Sequence, residues 1–464
     1  MTLIKSISGI RGTIGGKPNE GLTPIDIVKF TSAFGTLILK AANSKKTTVI
    51  IGRDARISGQ MVSNIVSGTL TGLGINVIDL GLSTTPTVEI AVTELKAQGG
   101  IILTASHNPK QWNALKLLNE KGEFISEEIG KELLRLADNA DFNYAEVNDL
   151  GTYNINNDFL NKHISKIIEL PYVNVEAITK ANFSIVLDAI NSSGGIAVPL
   201  LLKELGVKKV FVIHGEPSGN FAHNPEPLPE HLTDLSKNVV KQKAHLGISV
   251  DPDVDRLALV CEDGEMFGEE YTLVAVADYV LQHHKKGNTV SNLSSTRALR
   301  DITEKQGGKY SASAVGEVNV VKMMKETNAI IGGEGNGGII LPELHYGRDA
   351  LVGIAIFLTH LAKYGKSVSM LRRSYPNYFI SKNKIELTPH INVDDVLNQV
   401  KDKYKKQPVN IVDGLKIEFD KEWVHLRKSN TEPIIRIYSE SESEATAENL
   451  AKKIISDIKE IIKN

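Results

Sequence analysis

"GGIILTASHNPKQWNALKLL", Gly99 to Leu118, holds an apolar run, Ile101 to Leu103, that breaks into Thr104, Ala105, Ser106, His107, Asn108 and Pro109. A short apolar run closed by small, polar and turn-forming residues reads as a buried strand that delivers a serine hydroxyl at its carboxyl end. The same grammar recurs upstream and downstream. A first strand ends in a polar turn in "TVIIGRDARISG", "FSIVLDAINSSGG" and "NTVSNLSSTRAL". A second follows a glycine in "GINVIDLGLSTTP", "GVKKVFVIHGEPSG" and "GGKYSASAVGEVN". A third runs into an unusual loop in "GGIILTASHNP", "HLGISVDPDVDR" and "NAIIGGEGNGG". Apolar runs alternating with helical patterns predict three similar mixed α/β modules with parallel sheets. Ligands of such sheets sit beyond the carboxyl ends of the strands, so the three third-strand loops are expected to face one cleft.

After about Met370 the pattern changes to "KIEL", a helical "VDDVLNQVKDKYKK", then "VDGLKIEF", "WVHLRKS", "PIIRIYSES" and an amphipathic terminal helix. That order predicts a C-terminal α+β domain of hairpin-connected strands. "DFNYAEVNDLGTYNINNDF" reads as the first linker. The expected domains are 1–150, carrying the serine loop, 151–262, 263–370 and 371–464.

A chain of 464 residues is too long for one core. With 41% hydrophobic and 23% charged residues it is globular, and it has no run long enough to span a bilayer. "MTLIKSISGIRG" lacks a secretory stretch, and one cysteine, Cys261, forms no internal disulfide; a cytoplasmic protein is expected. Cys261 follows the apolar "LALV" and reads as a buried strand residue. A net charge of −2 argues against nucleic acid as a partner, so any anion site must be local.

The loops carry chemistry. "DPDVDR" sets Asp251, Asp253 and Asp255 at alternate positions, where one hard divalent cation could draw on all three. An EF-hand is excluded because Arg256 stands where that loop needs glycine and "LALV" continues as a strand. Arg256 beside a metal suits a phosphate oxygen. "GGEGNGG" offers Glu334 and Asn336 to vicinal hydroxyls, with glycines for close approach. "RKSNTEPIIR" gathers Arg427, Ser429, Asn430, Thr431 and Arg436 into a cradle for a dianion. Arg11, in "SGIRGTIGG", and Lys116 add positive charge. Ser106 lacks a G-x-S-x-G elbow, and His107 is a poor base for its own neighbour. A serine, an acid-held cation and a basic cradle together suit phosphoryl transfer. Two other readings compete. A haloacid-dehalogenase-type phosphohydrolase would use Asp251 as nucleophile but gives "TASHNP" no task. A non-catalytic sugar-phosphate sensor leaves the metal loop and serine unexplained.

"TASHNP", "DPDVDR", "GEGNGG" and "RKSNTEPIIR", in this order, resemble the α-D-phosphohexomutases: phosphoglucomutases, phosphomannomutases and phosphoglucosamine mutases. The resemblance implies three α/β modules and a TATA-binding-protein-like fourth domain around a central cleft. It implies an isomerase that interconverts hexose 6-phosphate and hexose 1-phosphate through a phosphoserine and a bisphosphate intermediate. Ser106 is then the phosphorylated residue, and it joins Asp251, Asp253 and Asp255 around one Mg²⁺. Arg11, Lys116 and Arg256 surround the transferring phosphate, His107 is a catalytic candidate that also reads as loop support, Glu334 and Asn336 grip the sugar, and Arg427, Ser429, Asn430, Thr431 and Arg436 hold the other phosphate. Where many members have Ser-Gly-His, Asn336, Gly337 and Gly338 stand here, so Lys116, Arg11 or His345 must manage the proton. "EGNGG" and "NTEP" resemble phosphoglucosamine mutases, which makes glucosamine phosphate the expected substrate and a broad phosphoglucomutase/phosphomannomutase the alternative. Hexose 1,6-bisphosphate is the expected activator, with a monomer or homodimer as the expected assembly.

Overall fold

A computed structural model of the chain describes residues 2–6, 9–42, 46–388, 391–428 and 434–463. They fall into two compact units, Met1–His283 with Asn336–Arg372, and His284–Gly335 with Arg373–Asn464. Residues 263–370, expected as one module, contribute to both.

The first unit opens with seven strands: β1 (Ile4–Ser6), β2 (Gly9–Thr13), β3 (Thr48–Arg53), β4 (Asn76–Leu82), β5 (Gly99–Leu103), β6 (Trp112–Leu118) and β7 (Tyr153–Ile155). They lie in the order β1-β2-β6-β5-β3-β4-β7. β3 is parallel to both β5 and β4, and β6 runs antiparallel between β5 and β2. The middles of β3 and β5, Val49–Ile51 and Ile101–Leu103, are apolar and buried because both faces are covered. Ile51, Ile101 and Leu103 pack with Phe30, Phe34 and Val66 of two helices, while Ile50 and Ile102 pack with Val88 and Ala91 of a third. The stretch read as a linker also carries an edge strand: β7 pairs with β4 in parallel. Its three residues are all exposed, and the polar stretch around Tyr153 and Ile155 hid it.

A second sheet of this unit orders β8 (Ser184–Asp188), β9 (Lys209–Ile213), β10 (Leu246–Val250) and β11 (Leu257–Cys261) as β11-β10-β8-β9. β8 is parallel to β9 and β10, and β11 returns antiparallel to β10. Cys261 is buried at the end of β11, as its apolar neighbours imply.

In the second unit β12 (Asn288–Asn292) lies between β13 (Tyr310–Ser313) and β14 (Ala329–Glu334), parallel to both. All three modules thus place the third strand beside the first and the second on the other side. After β15 (Gly338–Ile340), which belongs to the first unit, the chain builds an antiparallel sheet in the second. Its order is β16-β20-β19-β18-β17, from β16 (Phe379–Glu386), β17 (Val409–Asn410), β18 (Leu415–Glu418), β19 (Trp423–Lys428) and β20 (Ile434–Ser441). Ile417, Leu426, Ile435 and Ile437 line one face and pack with Val396 and Val400 of the helix Val393–Lys403 and Ile454 of Glu444–Lys463. Among the described residues no helix is long and apolar enough to cross a membrane.

Candidate active site

The serine loop leaves β5 and is held from beneath by Arg56, a fully buried residue of the turn after β3. Arg56 Nη1 donates to the carbonyls of Pro109 and Trp112 at 2.8 and 2.9 Å, and Nη2 donates to those of Asn108, at 2.7 Å, and Ser106. Its Nε pairs with Asp54 Oδ2 at 3.0 Å, which also accepts from Thr104 Oγ1 at 2.7 Å. Burial pushes the Asp54 carboxyl up, against the pull of Arg56. Thr104 Oγ1 in turn accepts the Ser106 amide at 2.9 Å. Ser106 itself sits at φ 48°, a left-handed conformation that non-glycine residues seldom adopt. The clamp therefore fixes a strained serine. Its hydroxyl, 7% exposed as a residue, donates to Asp251 Oδ2 at 2.8 Å and lies 3.4 Å from His107 Nδ1.

Asp251, Asp253 and Asp255 lie in the turn between β10 and β11, all fully buried. A left-handed Val254, at φ 62°, folds the turn, while Asp251 Oδ1 accepts the amides of Asp255 and Arg256, each at 3.1 Å. One oxygen from each carboxylate falls within 4.8 Å of the others. Asp253 Oδ2 accepts from Thr85 Oγ1 at 2.6 Å and Lys116 Nζ at 2.7 Å; Asp255 Oδ2 accepts from Arg348 at 2.7 Å. Asp253 Oδ1 and Asp255 Oδ1 are buried with no hydrogen-bond partner. Such oxygens are costly unless a cation meets them. Three oxygen donors suit a hard divalent ion such as Mg²⁺, so the residues fit one. Burial and the neighbouring Asp255 and Asp253 push Asp251 well up, whereas at Asp253 Lys116 and Thr85 outweigh burial and hold it low.

Lys116, Arg256 and Arg348 contact this group. Lys116, from β6, opposes the cost of burial through Asp253 and Asp255 and stays firmly protonated. Arg256 Nε is 3.9 Å from Asp255 Oδ1 and has no hydrogen-bond partner. Arg11 lies on β2, opposite Ala114 of β6, with its buried Nε equally unpartnered. Burial, with Arg256 and Arg348 nearby, drives His107 down to about 2 and keeps it neutral. His345 is not a free base: it lies 3.2 Å from Glu89 and 3.3 Å from Asp349, which overcome burial and push it up to about 10. The loop Asn336–Gly338 packs on the acid turn, Leu257 N–H donating to Gly337 O at 3.1 Å. A Cβ at Gly338 would come within 2.4 Å of Arg348 Cδ, so a side chain there is replaced by the arginine. Asn336 Oδ1 accepts the Gly338 amide at 3.3 Å.

In the second unit Glu334, at the end of β14, accepts from Asn292 Nδ2 at 2.9 Å and from the Gly316 amide at 3.0 Å. Asn292 ends β12, as Asp54 follows β3, so in both modules a residue at the end of the first strand braces the third-strand loop. Arg427 on β19 faces Arg436 on β20, which in turn faces Lys384 on β16. Three cations in one row across three strands repel one another unless an anion lies among them. Arg427 Nε lies 2.8 Å from Asp413 Oδ2, an ion-pair contact without hydrogen-bond alignment. Ser429, Asn430 and Thr431 lie outside the described residues. Within the first unit the structure thus brings together Ser106, His107, Lys116, Arg256 and the three aspartates, and adds Arg56, Thr85 and Arg348, which the sequence reading did not single out.

The chain matches the phosphoglucomutase/phosphomannomutase family in consecutive pieces: alpha/beta/alpha domain I over 3–144, domain II over 161–264, domain III over 268–378 and the C-terminal domain over 390–456. A "phosphoglucomutase/phosphomannomutase" of Thermococcus kodakarensis is 36% identical over 459 residues, 97% of this chain and 99% of that protein. A "phosphoglucosamine/phosphogalactosamine mutase" of Sulfurisphaera tokodaii is 32% identical, with 98% of each covered. The same fold occurs in the crystal structure of a phosphoglucomutase/phosphomannomutase family protein from Burkholderia thailandensis, at TM-score 0.85, 24% identity and 98% coverage of both chains. It also occurs in an N-acetylphosphoglucosamine mutase of Aspergillus fumigatus in complex with GlcNAc-6P and magnesium, at TM-score 0.56, 14% identity and coverage of 91% and 85%. "GISVDPD" falls within domain II of the matched family, which overturns the phosphohydrolase reading.

Proposed function

Since this chain belongs to the phosphoglucomutase/phosphomannomutase family, and is an isomerase acting as a phosphohexomutase, we propose that it converts glucosamine 6-phosphate to glucosamine 1-phosphate through a phosphoserine at Ser106. The observation that carries this is the Ser106 hydroxyl, bonded to Asp251 at 2.8 Å in a buried acid group whose Asp253 Oδ1 and Asp255 Oδ1 lack partners. A strained, solvent-shielded serine beside a cation pocket suits reversible phosphorylation.

In the proposed cycle the P–Oγ bond of phosphorylated Ser106 breaks as a bond forms to the free hydroxyl of the hexose monophosphate, whose proton passes to the departing Ser106 oxygen. The resulting bisphosphate turns over and returns its other phosphoryl group to Ser106. Asp251, Asp253 and Asp255, with a phosphoserine oxygen, would hold Mg²⁺, which when bound supplies charge stabilisation for phosphoryl transfer. Lys116, Arg11 and Arg256 add fixed positive charge, and Lys116 acts as a cation because both its carboxylate partners keep it protonated. His107, neutral and 3.4 Å from Ser106 Oγ, orients the hydroxyl. A loose transition state asks little of a base, which suits a site whose His345 is held as a cation elsewhere. Arg427 and Arg436, with Ser429, Asn430 and Thr431, would clamp the phosphate that is not moving; Glu334 and Asn336 would read the sugar. Hexose 1,6-bisphosphate would prime the enzyme by phosphorylating Ser106.

The relative in Thermococcus supports a second reading, a phosphoglucomutase/phosphomannomutase of broad specificity. Turnover of glucosamine, glucose, mannose and N-acetylglucosamine 1-phosphates by one preparation decides between them. Intact-mass analysis in the same preparation should find about 80 Da added at Ser106 after exposure to bisphosphate; no added mass rejects the phosphoserine.

A further inference from the structure

The middle module departs from the other two at one position. Asp188, the last residue of β8 and fully buried, corresponds to Asp54 and Asn292, yet it does not brace the third-strand loop. That task falls to Ser192, whose hydroxyl donates to the carbonyl of Pro252 at 2.7 Å. Asp188 Oδ1 accepts the Ile190 amide at 3.0 Å, and its Oδ2 faces two histidines: His214 Nδ1 at 3.2 Å and His223 Nε2 at 3.0 Å. The two turns that carry them are tied together, Asn191 N–H donating to His214 O at 2.6 Å and Gly219 N–H to Asn191 O at 3.0 Å.

The hydrogen bonding of His223 shows what this arrangement requires. Its Nδ1 lies 2.8 Å from the carbonyl oxygen of Asn224, an atom that only accepts, so Nδ1 carries a proton. With Nδ1 protonated, Nε2 faces a carboxylate oxygen at 3.0 Å, and a positive charge is shared between them: a second ring proton, or a metal ion in its place. A histidine that donates one ring N–H to a backbone carbonyl is oriented as metal-bound histidines are. Ligand bonds of about 2.0–2.1 Å at tetrahedral angles set neighbouring ligand atoms about 3.3 Å apart, close to both distances seen here. The side chains of His214 and His223 keep 24% and 17% exposure, so an ion has a way in and water can complete its shell.

We propose that Asp188, His214 and His223 form a second cation site, separate from the three-aspartate group, that takes one borderline transition metal of the Zn²⁺ class. Two imidazoles and a carboxylate select such an ion, whereas the all-oxygen group selects a hard one. The two sites can therefore fill independently.

The test is calorimetric titration of the full-length, chelator-stripped chain with Zn²⁺ in excess Mg²⁺. One equivalent should bind with Kd below about 10 μM. His214→Gln and His223→Gln should each weaken it by about 10–100-fold, while Asp251→Asn leaves it unchanged. Should a variant misfold, the unaltered chain titrated with Co²⁺ gives a second reading, because ligation by imidazole in a four-coordinate site produces strong visible absorption. Absence of Zn²⁺ binding, binding that survives both histidine substitutions, or Co²⁺ spectra typical of six oxygen ligands would each overturn the proposal. In the first case a proton alone occupies the gap.

Discussion

Arg56 reaches four carbonyls of one loop and a carboxylate, an arrangement no lysine can copy. Arg56→Met should strand Asp54 as a buried, unpaired acid and lower stability by about 3–5 kcal/mol, read by urea unfolding. Arg56→Lys should keep much of that stability yet lose activity, because a point charge cannot fix the serine loop. Ser106→Ala should fold as the wild type does, with turnover below about 1% of normal; a higher residual rate, free of contaminating mutase, would rule out the phosphoserine. Ser106 and the three aspartates were legible in the sequence because their chemistry lies in a few adjacent letters. Arg56 and Arg348 were not. They act on Ser106 and Asp255 across 50 and 93 positions, and no local pattern marks such a pair.

The row Lys384, Arg436 and Arg427 comes from strand register, an element property that letters alone do not reveal. "RKSNTEPIIR" did disclose two of its members, and Lys384 became visible only when β16 took its place beside β20. If the row holds the resting phosphate, Arg427→Ala should weaken every hexose phosphate alike, by about 2–4 kcal/mol in binding. If Glu334 reads the sugar, Glu334→Gln should instead reorder glucosamine, glucose and mannose phosphates. A matrix of both variants against the three sugars checks this; a reordering by Arg427→Ala would reverse the two assignments. The loop Asn336–Gly338 gives a conformational test. Gly337 has φ 84°, and a Cβ there would lie 2.2 Å from Leu257 O, so Gly337→Ala should destabilise the chain by more than about 1 kcal/mol and disturb Arg256.

For the molecule as a whole, ion binding and pH give stability readouts. Mg²⁺ should raise the melting temperature in proportion to the logarithm of its concentration, and Asp253→Asn should abolish that rise with only a small change in the ion-free value. His345 sets a limit on the alkaline side. Its pKa is raised to about 10 in the folded chain from an ordinary 6.5, so the stabilisation from Glu89 and Asp349 is complete below about pH 6.5 and is lost as pH climbs through 10. Unfolding free energy should fall over that window, and His345→Gln should flatten the fall. Periodicity made the strands and the threefold repeat legible, but not which strand lies beside which. β7 escaped because it is three residues long, too short for alternation to register, and lies in a polar stretch. That neighbour order bears on how the chain is made. In each module the first of the three parallel strands becomes the middle one of the three, and the two that follow add to its opposite edges. The sheet of β8 to β11 and the strands β12 to β14 can grow outward from the first strand during synthesis, every new strand meeting a template already in place. Parallel pairing is slow when distant segments must search for each other; here the search is confined to a single module at a time.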